Sequence, residues 1–351
     1  MSTNVAVVGL GYWGPNLARN FNRLPGAELR WLCDLSEDLR RQYGELFPRA
    51  TVTDDYDALL ERDDLDAVVL ATPVPTHHVL AAKALRAGKH VFVEKPLALT
   101  AADARELAEL AEEHDRVLFV GHLLVYHPAV ERMRAMIESG ELGDVLYAYS
   151  HRLNLGQFRR DENALWSLGV HDVAMLMHLT GLEPVEVTAS GESYLHDGVE
   201  DVVFGTIRFA GGTMAHIHLS WLDPHKVRRL TVVGSSKMVV FDDMQADRKL
   251  TVYDKGFTRE QGGDATPGQA PARSYGEYIT KREGDIWIPR VPNDEPLRLE
   301  CQRFLDCISG EADPRSDGRD GLRVVSVLEG MQQSLEQGGG VVPLVPATAS
   351  S

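Results

Sequence analysis

A lysine stands at the mouth of an apolar run in the stretch "VEKPLAL", Val93 to Leu99. There Lys95 can hydrogen-bond a substrate oxygen, or stabilise negative charge as a hydride leaves or arrives. Partial burial would lower its pKa and ease proton transfer. The competing use is a surface lysine paired with a carboxylate. Glu94, its neighbour, points to the other side of the strand. A second candidate lies in "ENALWSLGVHDVAMLMHLTG". On a helical wheel Asn163, Ser167 and His171 recur every four residues and form one polar stripe. Leu165, Leu168, Leu176 and Leu179 gather opposite, and Val170, Val173 and Met177 fill much of the remainder. A helix this apolar is buried, so its polar stripe should face a cleft or ligand. His171, with an unperturbed pKa near ~6.5, is then a general base able to take a hydroxyl proton; its other use is as a satisfied core histidine. Asp172 reads as a buried hydrogen-bonding partner.

"VAVVGLGYWG" places Gly9, Gly11 and Gly14 in a G-x-G-x-x-G pattern between a strand and a helix, with Asp34 twenty residues beyond Gly14. Gly9 permits the tight turn, Gly11 lets backbone approach a pyrophosphate, and Gly14 lets helix and strand pack closely. The helix N-terminus offers N–H groups and partial positive charge to phosphates. Asp34 would accept from an adenosine ribose, and a carboxylate there repels a 2′-phosphate, favouring NAD over NADP. Tyr12 and Trp13 complete this turn. A glycine turn without ligand, with Asp34 capping the next helix, is the alternative. "ATPVPTHH" ends the third strand, where residues line the crevice of an open parallel sheet. Thr72, Pro73 and His77 would flank the nicotinamide half, with Glu94 and Lys95 beyond. The alternative is a proline-bracketed turn capping the next helix, with His77 or His78 exposed.

These residues need strands and helices in alternation. "NVAVVGL", "ELRWLCD", "DAVVLAT", "HVFVEKP" and "RVLFVGH" read as parallel strands separated by helices. Ser36 and Thr100 are the expected N-caps of the second and fourth helices. After about Gly121 the rhythm changes to helices and a run of strands, with "FAGGTM" as a hairpin signal. The expected fold class is α/β: an N-terminal Rossmann, doubly wound parallel sheet over residues 1–121, then an α+β region over 122–345 with a large, mostly antiparallel open sheet. Residues 261–273 read as a loop and 346–351 as a disordered tail.

The chain has 351 residues and a formal charge of −16. Nucleic acid and anionic membrane want a basic surface, so neither is expected as a partner. Cys33, Cys301 and Cys307 show no metal-ligand spacing, no H-E-x-x-H or carboxylate triad occurs, and no metal is expected. The first residues enter a strand with no basic or apolar leader and no apolar run reaches spanning length, so a cytoplasmic protein is expected.

In this order "GLGYWG", "ATPVPTHH", "AGKHVFVEKPLAL" and "LGVHD" resemble the Gfo/Idh/MocA oxidoreductases over most of the chain. The resemblance implies a Rossmann domain, a second domain with an open sheet, and oxidoreduction of a sugar or cyclitol with a nicotinamide cofactor. It implies that Lys95 is catalytic and that His171 is the acid/base. Ser167 stands where the family's D-x-G-x-H aspartate would be, a departure that weakens assignment to inositol or glucose dehydrogenases. "NLGQFRRDENALWSLGVHD" is similar to the nucleotide-sugar branch of 3-dehydrogenases and 3-ketoreductases. Asn154, Arg159, Asn163 and Trp166 match that stretch, as substrate contacts. Arg159 could grip a diphosphate or uronate bidentately, or be an exposed loop arginine. "LLVYHPAV" follows the Rossmann domain, and Tyr126 and His127 are expected to border the pocket. A homodimer or homotetramer through the second sheet is implied by the resemblance. The rival readings are a free sugar or inositol dehydrogenase, and a catalytically silent NAD-binding sensor.

Overall fold

The computed structural model describes residues 2–156, 158–160, 162–259 and 279–345. The loop at 261–273 and the tail at 346–351 lie outside them. Six strands form a parallel sheet: β1 (Thr3–Val8), β2 (Ala27–Cys33), β3 (Thr51–Thr53), β4 (Ala67–Leu70), β5 (His90–Glu94) and β6 (Leu118–Gly121). Their order is β3-β2-β1-β4-β5-β6. The order reverses between β1 and β4, the switch point at which such sheets open a ligand crevice. Helices α1 (Gly14–Phe21), α2 (Glu37–Leu46), α3 (Tyr56–Leu60), α4 (His77–Arg86) and α5 (Ala101–Glu113) make the crossovers. Residues of β4 and β6 are buried throughout, as strands covered on both faces must be. Ser36 and Thr100 cap α2 and α5 as expected, accepting from Leu39 N and Asp103 N. Strand β3 and helix α3, absent from the sequence reading, are too short to show a period.

Helix α6 (Pro128–Glu138) leads to β7 (Val145–Leu153), helix α7 (Val170–Thr180), then β8 (Pro184–Glu192), β9 (Val202–Phe209), β10 (Met214–Ser220), β11 (Val227–Gly234), β12 (Met238–Asp242) and β13 (Leu250–Tyr253). β14 (Gly256–Arg259) and β15 (Ile279–Arg282) form a separate hairpin-like pair, and β16 (Ile286–Trp287) joins the large sheet. Helices α8 (Pro296–Ile308) and α9 (Gly318–Glu336) and the edge strand β17 (Val342–Pro343) complete the described chain. The nine-stranded sheet runs β16-β13-β12-β11-β7-β10-β9-β8-β17. All its pairings are antiparallel except β7 with β10. The hairpin at "FAGGTM" forms, with Gly211 and Gly212 at φ 85° and 92°, a region open to glycine.

The helix expected over Asn163 to Thr180 begins differently. Leu165–Gly169 is a π-turn and the α-helix proper starts at Val170. A π-turn inserts an extra residue per turn, which rotates Asn163 off the stripe that carries His171. The last two helices return to the first sheet. Val120 N donates to Ser316 O (2.8 Å). Phe304 of α8 meets Phe92 edge-on, with centroids 5.6 Å apart, and also packs on Phe21 and Phe119. This aromatic stack fixes α8 behind β5, and so places Glu300, one turn before Phe304, behind the strand end that carries Lys95.

Candidate active site

The glycine turn is built as a cradle. Gly9 has φ +89°, and a Cβ there would lie 2.7 Å from the backbone of Ala71 on the neighbouring strand end. A Cβ on Gly14 would overlap Gly9 O at 1.8 Å. A Cβ on Gly11 would meet nothing within 4 Å, so this glycine opens onto the crevice. No side chain caps the N-terminus of α1, which leaves it free for an anion. Asp34 follows β2, with Oδ2 accepting from Leu10 N (2.6 Å) and Oδ1 from Ser36 N (2.8 Å). Arg40 is spent on Asp34 O, Leu35 O and the Asp54 carboxylate, and Arg41 pairs with Asp38. Tyr12 is 91% exposed at the turn, and its ring stacks near Trp13. The residues present therefore fit a dinucleotide: a backbone cradle for phosphates, a fixed carboxylate at the ribose position and an exposed aromatic flank.

Lys95 ends β5 on the crevice rim. Its peptide bond to Pro96 is cis. The side chain is half-buried, and among the described residues nothing accepts from its ammonium. Burial pushes its pKa down, the nearby Glu94 and Glu162 carboxylates push back up, and Arg159 and Arg152 add to the lowering. Glu94 alternates to the opposite face with Phe92. It is buried, and one carboxyl oxygen has no partner. Burial raises its pKa first, against the opposing pull of Lys95. Glu300 of α8 faces it at zero exposure with both oxygens unpartnered, its pKa raised by burial and then by Glu94. The other oxygen of Glu94 accepts from Lys95 N (3.3 Å), and the Trp13 side chain of the glycine turn also hydrogen-bonds this carboxyl.

His171 opens the first turn of α7, half-buried, with Nδ1 buried and unpartnered. Its pKa falls well below the ordinary histidine value, through burial first and then the charges of Lys95, Arg152, His122 and Arg228. The imidazole is thus neutral at pH 7, the form of a base. Lys95 is the first charge, after burial, among those that lower His171, although the two are 76 residues apart (171 − 95). Beside them Asp172 pairs with Arg152 of β7 through a short contact to Nε and an Nη2–Oδ1 contact of 3.4 Å, both side chains buried. The expected buried partner of Asp172 is therefore an arginine, and the ion pair ties α7 to the sheet.

Several expected contacts sit elsewhere. His77 is 1% exposed, its ring nitrogens 2.9 Å from Pro96 O and 2.9 Å from Thr72 O. It braces the backbone after Lys95 rather than facing the nicotinamide position, because α4 begins at His77 itself and turns the ring inward. Thr72 and Pro73 stay at the crevice end of β4, with Thr72 Oγ1 bonded to Thr76. Tyr126 is 2% exposed, bonded to Ser316 Oγ (2.8 Å) and stacked on Phe119. The 3₁₀ turn Leu123–Tyr126 rolls it into the core, so it does not border the pocket. His127 is likewise buried and caps α6 through Ala129 N. Asn163 donates its amide N–H groups to Glu200 and Gln332, and its oxygen accepts from Trp166 N; its polar atoms hold the π-turn. Ser167 and Trp166 remain half-exposed, and Asn154 follows β7 with its N–H on Ser220 O. Arg159 is exposed and ion-paired with Glu162.

Sequence reasoning did not single out Arg152, Glu300 or His122. A signal existed for His122: it follows β6 directly, on the same crevice rim as Thr72 and Lys95. Arg152 and Glu300 are single charges within otherwise ordinary strand and helix patterns. Among the described residues no group of three or more His, Cys, Asp or Glu could hold a metal ion, and no helix is long and apolar enough to cross a membrane.

Comparison with known proteins identifies the family and the fold. Residues 3–122 match the family described as an oxidoreductase family with an NAD-binding Rossmann fold, and residues 130–240 match the GFO/IDH/MocA C-terminal domain. An uncharacterized oxidoreductase of Streptococcus pneumoniae is 30% identical over 341 residues, covering 87% of this chain and 91% of its own. The UDP-N-acetylglucosamine 3-dehydrogenase of Acidithiobacillus ferrooxidans is 26% identical, over 94% of this chain and 96% of its own. The solved structure of GenD2 from gentamicin A biosynthesis, in complex with NAD, superposes with a TM-score of 0.79 at 27% identity, over 98% of each chain.

Proposed function

The chain belongs to the Gfo/Idh/MocA oxidoreductases, and from that premise we propose that it moves a hydride between NAD and C3 of a hexose carried on a nucleotide sugar. The observation that carries this reading is the pairing of an unclaimed, half-buried lysine with a neutral histidine from a different element. When bound, the nicotinamide supplies the hydride acceptor or donor. The turn at Gly9, Gly11 and Gly14 would hold its pyrophosphate, and Asp34 the adenosine ribose. Asp34 is held by two backbone N–H groups, and Arg40 and Arg41 already have partners. Among the described residues a 2′-phosphate would meet a fixed carboxylate with Arg40 and Arg41 already paired, which supports NAD over NADP.

Lys95 orients the C3 oxygen and stabilises negative charge on it. His171 takes the hydroxyl proton in oxidation and returns it in reduction. Its neutrality at pH 7 suits the first step, since a protonated imidazole could not accept. Ser167, Trp166, Asn154 and Arg159 are assigned to the substrate side. The similarity to a UDP-N-acetylglucosamine 3-dehydrogenase supports a nucleotide-sugar substrate. The test is reduced-nicotinamide absorbance with NAD and a panel of UDP-, dTDP- and GDP-sugars beside free hexoses and inositols. Turnover of a nucleotide sugar alone is expected; equal turnover of a free sugar would overturn the substrate assignment. Lys95→Ala should lower turnover strongly while NAD binding survives, and normal turnover would remove Lys95 from the mechanism.

A further inference from the structure

This inference rests on the dehydrogenase reading above and concerns the route of its proton. His122 follows β6 at 3% exposure, and neither Nδ1 nor Nε2 has a partner among the described residues. A buried imidazole with both nitrogens unmet is costly, and the fold must have a use for it. The β5–β6 register pairs Glu94 with Gly121, so the next residues, Lys95 and His122, leave their strand ends side by side. The His122 pKa is pushed down to about 3, by burial first and then by the Lys95 charge, and His122 contributes in turn to the lowering at His171. On its other side His122 lines a cavity of 490 Å³ between α6, α7 and the start of α9, which also meets Glu131, His178, Arg315 and Asp320. Ala174 and His178 of α7 line the same cavity. His171 precedes them by three and seven residues, on the same helical face. His122 thus stands between His171 and a polar cavity distinct from the crevice.

We propose that His122 relays the substrate proton between His171 and water in this cavity. In oxidation the C3–H bond gives its hydride to the nicotinamide, the O–H bond gives its proton to His171, and the C3=O double bond forms. His171 passes that proton to one ring nitrogen of neutral His122. His122 releases a proton from the other nitrogen to cavity water, and rotation or reprotonation restores its tautomer. Reduction runs the same transfers backwards, and no further oxidant is required. The route matters because a sugar and cofactor bound in the crevice would cover His171 on that side. The charges that face the relay are Lys95, Arg152 and Arg228 on the reactive side; on the cavity side they are the Glu131–Arg315 and Arg134–Glu138 pairs, His178, and Asp320 paired with Arg323.

The experiment uses full-length protein, NAD and the panel member that the unaltered protein oxidises, with His122→Ala and His122→Gln. NAD binding, followed by fluorescence quenching, checks that each variant is folded. Stopped-flow absorbance separates the first hydride transfer from steady turnover. First-turnover rates within about twofold of the unaltered protein are expected, with steady turnover lower by about 10- to 100-fold. Added 4-methylimidazole should restore turnover in His122→Ala, whose cavity can admit it, and not in His122→Gln. Unchanged steady turnover in both variants overturns the relay and leaves the dehydrogenase reading standing. First-turnover and steady rates that fall together without rescue overturn it too, making His122 a packing residue. If the unaltered protein oxidises no panel member, the reading and the relay fall together.

Discussion

Asp172→Asn removes one charge from a pair that is almost wholly inside the protein, its side chains 7% and 2% exposed. The amide keeps the shape of the carboxyl, so packing changes little. What changes is that the Arg152 guanidinium is left buried beside a neutral group, near the Lys95 ammonium and the neutral His171. Removing one partner of such a pair typically costs about 3–5 kcal/mol. With a denaturant slope of roughly 3 kcal/mol/M, the urea midpoint should fall by roughly 1–2 M. The exposed Arg41–Asp38 pair is the control: at 66% and 83% exposure its loss in Asp38→Asn should cost less than ~1 kcal/mol. The double variant Arg152→Met with Asp172→Leu replaces both charges by apolar groups and should recover most of the loss. The reasoning fails if Asp172→Asn costs no more than Asp38→Asn, or if the double variant is no more stable than the single one.

The glycine turn separates fold from ligand. Gly14→Ala should lower the thermal midpoint, because its Cβ would overlap Gly9 O, whereas Gly11→Ala should keep the midpoint and weaken NAD binding as measured by fluorescence titration. Glu300 carries the opposite sign of pH dependence from an ordinary carboxylate. Its folded pKa is raised, so the stability it contributes is complete below about pH 4.5 and lost as the pH climbs, because the unfolded chain ionises first. Glu300→Gln should therefore stabilise the protein at pH 8, and the gain should shrink toward pH 4; a gain that is constant with pH would refute the neutral carboxyl. His122, His127 and His90 have pKa values lowered to about 3, 4 and 4, by burial before any charge. Their stability is present above pH 6.5 and lost as the pH falls through those values. The urea midpoint should drop between pH 6.5 and 4, and less so in His122→Gln. For catalysis, the acid limb of kcat/KM should lie below the ordinary histidine range, since His171 is held neutral; a limb at or above 6.5 would remove His171 as the base.

The Rossmann half was legible because two signals coincide there. Runs such as "DAVVLAT" are apolar on both faces, and the glycine turn has steric needs that Gly9 and Gly14 meet with almost no clearance. Lys95 was legible from its position at a strand end. His171 was legible because an otherwise apolar helix leaves a polar residue conspicuous. What the sequence hid are partnerships across long separations. Arg152 pairs with a residue in another element, and Glu300 meets Glu94 only because Phe304 docks on Phe92 more than two hundred residues away. His77 and Tyr126 sit beside strand ends in sequence, where crevice residues are expected. A helix start in one case and a 3₁₀ turn in the other rotate them inward. Asn163 misled for a related reason: a wheel drawn with 3.6 residues per turn does not survive a π-turn.

These details converge on how one strand end can serve chemistry and core at once. Glu94 and Lys95 are neighbours, so alternation must send their side chains to opposite faces. The lysine reaches the crevice, where burial weakens its hold on a proton. The glutamate enters the core against a second carboxyl, where a full negative charge on both is unfavourable. A carboxyl that stays largely protonated cannot fully neutralise the adjacent ammonium, as an ordinary salt bridge would. Lys95 therefore keeps more of its electrostatic influence for the crevice, where it depresses His171 and would act on a substrate oxygen. Glu300 has no described partner and no exposure, so its place in the fold is hard to explain by stability alone. The influence runs from Glu94 to Glu300, whose pKa it raises further after burial, so two acids share the space behind the strand while the lysine alone faces the crevice.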